Sequence, residues 1–189
     1  IAARARVSMG LAAAVAEVGA ADACVALLHN AGADIASLSF RRIVERHGHL
    51  APVREAMIHD HRLPSDCRHM LLVKLGEALS RAPLVTTLIG AGRVERIMRD
   101  ACARASLTVI DGTRPQEHGA LVEHLRLRGD LTAGFLIRTI AHGKIDFFGS
   151  AMVALSKHTE SRVRALLADG SDVAVCALLR GAGLVQGTH

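Results

Sequence analysis

Two stretches of the chain, FRRIVERHGHLAPVREAM at Phe40–Met57 and FLIRTIAHGKIDFFGSAM at Phe135–Met152, carry the clearest sign of its architecture. They align without a gap, and the alignment extends to residues 72 and 167 with seven identities in 33 positions. Because repeated helical units bury their apolar faces only against their neighbours, the repetition predicts stacked helical pairs. We therefore expect two related halves, roughly residues 34–82 and 129–184.

The spacing of apolar residues predicts helices. Glycine and proline recur along the chain and leave segments of about 10 to 18 residues between them, which is helix length rather than strand length. Thr113, Thr159 and Ser171 stand where helix N-caps are expected, the first with Pro115 in the first turn and Gln116 as the capping-box residue. Helical spacing relates Leu38, Phe40, Ile43 and Val44 within residues 35–47, and Cys67, Leu71, Leu72, Leu75, Ala78 and Leu79 within residues 64–81.

These patterns predict an all-α fold of about ten short helices. Loops of two to five residues force neighbouring helices to pack as antiparallel hairpins, so we expect a HEAT-like α-solenoid or superhelix. We expect residues 1–189 to form a single helical-repeat domain. The composition agrees, because aromatic residues make up 2% of the chain and strong helix formers are abundant.

Charge and cysteine content narrow the classes of partner and compartment. The net charge is +5, but the basic residues are scattered and no run of five like charges occurs. Nucleic acid is therefore possible but not favoured as a partner. No stretch approaches 18 uninterrupted apolar residues, so we expect no membrane partner. The four cysteines lie far apart without a Cys-x-x-Cys pair, which favours a cytoplasmic location.

The histidine-rich segment 47–69 is a candidate metal site. Its two His-x-His pairs lie at opposite ends of a helix, about 15 Å apart, and cannot share one ion. What remains as a metal hypothesis is a cluster of His59, His61 and Cys67 around one loop. His47-Gly48 recurs as His142-Gly143, which indicates a helix stop with a left-handed glycine.

Residues 84–112 imitate a dinucleotide-binding unit. Two β-prone runs flank Gly90-x-Gly92 and a helical segment, and Asp111 follows some 20 residues later. Glu95 stands where the third glycine belongs, and its carboxylate would face a pyrophosphate. The alternative interpretation is a loop at Gly90–Gly92 followed by a helix with an apolar interior face.

The arginines Arg93, Arg96 and Arg99 form the candidate binding face. Their spacing of three places them along a slowly drifting stripe of one helix, with Glu95 and Asp100 as available partners. Guanidinium groups suit phosphate and carboxylate ligands, so this stripe is a candidate site for an anion or a protein partner. A solvated helix face is the alternative.

The C-terminal half, Gly129–Leu184, is similar to the signature of an alphaproteobacterial family known as domain of unknown function 2336. The resemblance extends over Arg4–Leu184 and implies HEAT-like helical repeats with no assigned activity and no site residues. The matching features are Leu131-Thr132, the apolar run Phe135–Ile140, Phe147-Phe148, Arg162–Leu167, Ala177–Arg180 and Ala182–Leu184, with a second segment at Leu63–Leu79.

No catalytic triad, metalloprotease motif or P-loop can be recognised by spacing. We therefore expect a cytoplasmic protein–protein interaction, scaffold or regulatory module without catalysis and without a cofactor, which binds an unidentified protein. One alternative is an anion- or nucleic-acid-binding HEAT-like regulator that uses the Arg93, Arg96 and Arg99 face. A second is an enzyme with a nucleotide site at Gly90–Gly92.

Overall fold

The computed structural model describes residues 2–184, and this part of the chain contains twelve α-helices and no strand. An isolated parallel bridge joins Val7 to Ala33. The all-α prediction is confirmed, with more helices than the ten or so expected. The chain divides into two compact units, residues 1–106 and 107–189. That all residues form a single domain stays a prediction.

The helices follow one another closely along the chain. Seven begin in the first unit: α1 (Met9–Val18), α2 (Ala21–Leu28), α3 (Ser37–His47), α4 (Ala51–Ile58), α5 (Ser65–Ser80), α6 (Pro83–Ile89) and α7 (Ala91–Asp111). A short 3-10 turn at Pro115–Glu117 precedes the other five: α8 (His118–Arg128), α9 (Ala133–Ala141), α10 (Ile145–Ser156), α11 (Glu160–Asp169) and α12 (Asp172–Gly181).

In the first unit, helices two apart in sequence pack side by side. α1 packs against α3, α2 against α4, and α3 against α5, while α6 packs against α5. Burial of aliphatic side chains at these contacts is the main driving force for their association. Among the fully buried side chains of this core are Leu27, Phe40, Ile43, Val44 and Met57.

Three residues that helical spacing placed on buried faces lie at the surface instead. Leu38 of α3 is 75% exposed, and Leu75 and Leu79 of α5 are each more than 40% exposed. Cys67 and Leu71, nearer the start of α5, are buried as expected. Periodicity identifies the residues that share a helix face, but a neighbouring element has to cover that face, and the second half of α5 is only partly covered.

Side chains from later elements cap the C-terminal ends of helices in the first unit. Arg46 donates to the carbonyl oxygen of Ala16 at 2.8 Å, near the end of α1. Arg54 donates to the carbonyl oxygen of His49 at 2.7 Å, and His49 lies in the turn just after α3. Arg62 donates to that of Leu28 at 2.9 Å, the last residue of α2. The carbonyls of Ala16 and Leu28 are among the last four of their helices, and that of His49 lies in the turn after α3, so each guanidinium satisfies an acceptor and joins two elements.

The second unit is organised around α10. This helix packs against α8, α9, α11 and α12, and α11 also packs against α12. α10 supplies Phe147, Phe148, Ala151 and Met152 to a continuous apolar core. The fully buried side chains that surround them include Leu121, Leu125, Leu136 and Leu178.

Backbone conformation, rather than arginine side chains, marks the helix ends of the second unit. Left-handed residues follow α8, α9, α10 and α11, at Gly129, Gly143, Lys157 and Gly170. Such a residue turns the chain back so that its own N–H groups reach the last carbonyls of the helix. The predicted N-caps at Thr159 and Ser171 are confirmed, because their hydroxyls accept from backbone N–H groups of α11 and α12. The prediction is wrong for Thr113, whose hydroxyl donates back to Val109 O at 2.6 Å.

The two His-Gly pairs end their helices differently. Gly143 has the expected left-handed conformation, with φ 72°. The expectation is wrong for Gly48, which has φ −63° and donates its N–H to Val44 O at 2.9 Å. A Cβ at Gly48 would lie 2.5 Å from Val44 O, so close approach, rather than backbone handedness, accounts for this glycine. The duplication of the two halves stays a prediction.

The left-handed caps predict opposite effects for two exposed glycines of the same hairpin. Gly129→Ala is expected to lower the free energy of unfolding by about 1 kcal/mol or more, because its φ of 76° strains an L-residue. Gly119→Ala, inside α8 with open space around it, is expected to raise that free energy by about 0.5–1 kcal/mol. Urea unfolding followed by circular dichroism measures both, and destabilisation by the two changes alike would contradict the prediction.

Candidate functional site

The histidine-rich segment spans the end of α3, α4 and the start of α5. His47 is the last residue of α3, and its Nε2 lies 3.1 Å from the carbonyl oxygen of Gly19. His59 follows α4 as its C-cap, and His61 lies in the next turn. His69 is buried in α5, where its Nε2 lies 3.0 Å from Ser106 Oγ. The structure thus distributes the histidines among separate local environments.

The structure gives no support to a metal site at His59, His61 and Cys67. Within residues 2–184, no group of three or more His, Cys, Asp or Glu side chains is arranged to hold a metal ion. His59 and His61 are exposed, whereas Cys67 is fully buried. Burial raises the pKa of the Cys67 thiol, and the neighbouring Asp66 carboxylate raises it further. Metals bind the thiolate, so this environment opposes coordination.

The loop between the two histidines has a structural role, which its other residues perform. The Arg62 guanidinium pairs with the Asp60 carboxylate through Nε at 2.9 Å and Nη2 at 2.7 Å. The same group donates to the carbonyl oxygens of Leu28 and Ala33, each at 2.9 Å. One side chain therefore fixes the α4–α5 loop against the end of α2 and the turn that follows it.

The charge of Asp60 depends on this pairing. Burial by itself raises the pKa of Asp60, but hydrogen bonds from the side chain and backbone N–H of Arg62, together with its positive charge, outweigh burial. The pKa of Asp60 is consequently held below its usual value. The Asp60–Arg62 pair stabilises the folded chain only while that carboxylate is ionised.

The βαβ interpretation of residues 84–112 is wrong. The two β-prone runs of this segment are both helical, the first in α6 and the second in the last turns of α7. Gly90 is the residue between these helices, with φ 85°, and Gly92 already belongs to α7. A dinucleotide fingerprint needs a strand before its glycines, so the structural basis for a nucleotide site at Gly90–Gly92 is lost.

The candidate arginine face lies on the first half of α7. Arg93, Arg96 and Arg99 are all exposed, as are Glu95, which lies between the first two, and Asp100, which follows the third. None of the three guanidinium groups has a hydrogen bond or ion pair with residues 2–184. The carboxylates named as available partners do not engage them. The three cations are therefore free to meet an external anion.

The helix before this face is apolar and uncovered. α6 has the sequence PLVTTLI, and none of its residues is buried. Leu84 is 71% exposed and Leu88, one turn later, is 75% exposed. We define the α5–α7 surface by eight exposed residues of these three helices: Leu75, Leu79, Leu84, Leu88, Ile89, Arg93, Arg96 and Arg99.

Sequence reasoning identified the arginines of this surface but not its apolar part. The run Leu84–Ile89 is rich in β-branched and aliphatic residues, and this composition favours a strand. A better signal was available in Pro83, which suits the first turn of a helix, and in Gly90, which suits the residue after one. A short helix without a polar face needs a cover, and none of the described residues buries it.

The buried side chains of His69 and Ser106 are in contact. His69 Nε2 lies 3.0 Å from Ser106 Oγ, and the same hydroxyl donates to the carbonyl oxygen of Cys102 at 2.7 Å. Ser106 Oγ therefore lies between the imidazole and a backbone acceptor of its own helix.

One family model, described as "Uncharacterised protein conserved in bacteria (DUF2336)", matches the chain over residues 1–189. No curated protein and no solved structure matches it. Among the residues that the structure describes, no helix is both long and apolar enough to cross a membrane.

The Asp60–Arg62 pair generates a stability prediction. Arg62→Ala is expected to lower the free energy of unfolding by about 2–4 kcal/mol, because the buried Asp60 carboxylate loses its guanidinium partner, keeping the backbone N–H bond of residue 62, and two carbonyl oxygens lose their donor. Arg42→Ala removes an exposed pair with Glu17 and serves as the control, with a clearly smaller loss expected. Equal losses in urea unfolding would argue against the bridging role of Arg62.

The lowered pKa of Asp60 predicts a pH dependence. The Asp60 carboxylate contributes stability above its unfolded pKa of about 3.9, and this contribution disappears as pH falls through the lower folded value. In urea titrations between pH 7 and pH 3, the wild-type free energy of unfolding should fall more steeply below about pH 4 than that of Asp60→Asn. Glu123→Gln, which alters an exposed pair with Arg126, is the control. Parallel curves for wild type and Asp60→Asn would refute the assignment.

Proposed function

The chain belongs to the bacterial family of uncharacterised DUF2336 proteins, and within it we propose that the chain is a protein-binding module. In this proposal it is a scaffold or regulator built from HEAT-like helical repeats, and it binds its partner through the α5–α7 surface without catalysis. The observation that carries the proposal is α6, an apolar helix of which none of the residues is buried.

The packing within each unit supports the repeat architecture. In the first unit, α1, α3 and α5 pack in succession and α2 packs against α4, as expected for stacked helical hairpins. In the second unit, α8 and α12 both pack against α10. HEAT-like proteins use such layers as extended binding faces, which is consistent with an interaction role.

The exposed leucines supply a free-energy argument for a partner. Water contacts most of the surface of Leu84 and Leu88. Transfer of each side chain into an interface would contribute roughly 1–2 kcal/mol, so covering both changes affinity by about 30-fold to 700-fold. Clustered apolar exposure on a globular protein is typical of an interaction site.

A cytoplasmic location is part of the proposal. All four cysteines, Cys24, Cys67, Cys102 and Cys176, are free thiols, and Cys24 and Cys67 are buried. Unpaired buried cysteines suit a reducing compartment. Restriction of the family to alphaproteobacteria stays a prediction.

A second candidate function is supported by the arginines alone. Arg93, Arg96 and Arg99 are exposed and lack partners among the described residues, as an anion- or nucleic-acid-binding regulator would require. The apolar α6 beside them favours a protein partner over a phosphate backbone. An enzyme with a nucleotide site at Gly90–Gly92 loses its support, because the flanking runs are helical.

Quantitative affinity capture from a lysate of the source bacterium tests the proposal. The full chain is compared with the double variant Leu84→Ser/Leu88→Ser and with the control Ile137→Ser/Val173→Ser, whose side chains are 66% and 80% exposed in the second unit. We expect at least one protein whose retention falls about tenfold for the α6 variant only. That protein, purified, should show the same ranking by isothermal titration calorimetry.

Circular dichroism establishes that each variant remains folded before the comparison. A set of captured proteins that is unchanged by the α6 substitutions, or reduced equally by the control pair, would remove the α5–α7 surface as the docking site.

A further inference from the structure

We propose that the occupant of the α5–α7 surface is an amphipathic helix of a partner protein, with an apolar stripe that covers α6 and Asp or Glu residues that pair with Arg93, Arg96 and Arg99. This inference rests on the proposed function and specifies the chemistry of its partner.

The charge of the α5–α7 region points to an acidic ligand. Residues 81–104 contain five arginines and two acids, a net charge of +3, whereas the whole chain carries +5. This segment contains no lysine or histidine. Most of the net positive charge of the protein is therefore concentrated in 24 residues that include the uncovered apolar helix.

The arginines of residues 81–104 have no side-chain partner among residues 2–184, a property that they share with Arg4, Arg6, Arg138, Arg162 and Arg180. Arg46, Arg54 and Arg62 hold backbone carbonyls, while Arg42 and Arg126 pair with carboxylates. By contrast, the guanidinium groups of Arg81, Arg93, Arg96, Arg99 and Arg104 have no hydrogen bond or ion pair with residues 2–184. Their hydrogen-bond donors are directed to solvent and available to a ligand.

Their spacing matches carboxylates on a helix. Arg93, Arg96 and Arg99 lie three residues apart on α7, which separates successive side-chain positions by about 4.5 Å along the helix axis. Acids at positions i, i+3 or i+4, and i+7 of a partner helix recur at a similar interval. Each guanidinium can bind a carboxylate through two parallel hydrogen bonds.

Two features favour a protein helix over a polyanion. Glu95 and Asp100 lie among the arginines of α7. Both carboxylates would repel a uniformly negative nucleic acid or lipid surface. A protein helix can place its acids against the arginines and neutral or basic residues against these two. The exposed leucines of α6 also need an apolar cover, which a phosphate backbone lacks.

Selection from a displayed library of helical peptides of about 16 residues tests the inference. The full chain is the target, and peptides that also bind the triple variant Arg93→Glu/Arg96→Glu/Arg99→Glu are removed. We expect the selected peptides to be enriched in Leu or Ile at helical spacing and in Asp or Glu on one flank of that stripe. Selection of neutral or basic peptides, or of none, would overturn the inference.

A charge exchange on the best selected peptide provides the sharper measurement. By fluorescence polarisation, the triple variant should bind it at least about tenfold more weakly than wild type does. A peptide with Lys in place of each acid should regain affinity for that variant. The control Arg138→Glu/Arg162→Glu/Arg180→Glu changes the net charge equally at exposed sites of the second unit, and should stay within about twofold of wild type.

Three outcomes would assign a different occupant and overturn the inference. They are arginine-dependent binding of double-stranded DNA in 200 mM salt, arginine-dependent binding to phosphatidylglycerol vesicles, and self-association of the chain that the α6 substitutions abolish. If no acidic peptide binds while lysate capture still depends on Leu84 and Leu88, this inference fails and the proposed protein-binding function stands. Loss of both dependences removes the proposed function as well.

Discussion

The carbonyl groups at the C-terminal ends of short helices impose the constraint on which much of this structure depends. A helix leaves its last four carbonyl oxygens without a partner inside the helix, and the twelve helices within residues 2–184 have many such ends. In the first unit, arginine side chains from other elements satisfy several of them, as Arg46 does for α1 and Arg62 for α2. Because these donors come from positions distant in the sequence, the same hydrogen bond caps one helix and joins it to another element of the first unit.

The second unit meets the same constraint locally. Left-handed residues such as Gly129 and Gly170 turn the backbone so that nearby N–H groups reach the carbonyls. This arrangement needs no guanidinium group. The helices of the second unit associate through the apolar core around α10. The same contrast is seen at the two His-Gly pairs, which end α3 and α9 with Gly48 and Gly143 in different conformations.

The α5–α7 surface combines unpartnered arginines with exposed leucines. Where arginines hold the fold together, they have carbonyl or carboxylate partners within the chain, as Arg54 and Arg62 do. Arg93, Arg96 and Arg99 have no such partners among residues 2–184, and the helix before them exposes its leucines. Unused cations beside uncovered apolar area are what an interaction surface needs. The histidine-rich loop shows the opposite case, because Asp60 and Arg62 give it a structural role.

By itself, the sequence determined the all-α class, the helix caps at Thr159 and Ser171, and the candidate arginines, because helical spacing and capping are local properties of consecutive residues. It did not reveal that Leu38, Leu75 and Leu79 are exposed, since exposure depends on which element covers a helix face. The separation of His59 and His61 from the buried Cys67, and the helical state of Leu84–Ile89, were likewise decided by the tertiary structure. Residue type and spacing are readable along a chain, whereas burial and pairing arise only when distant segments meet.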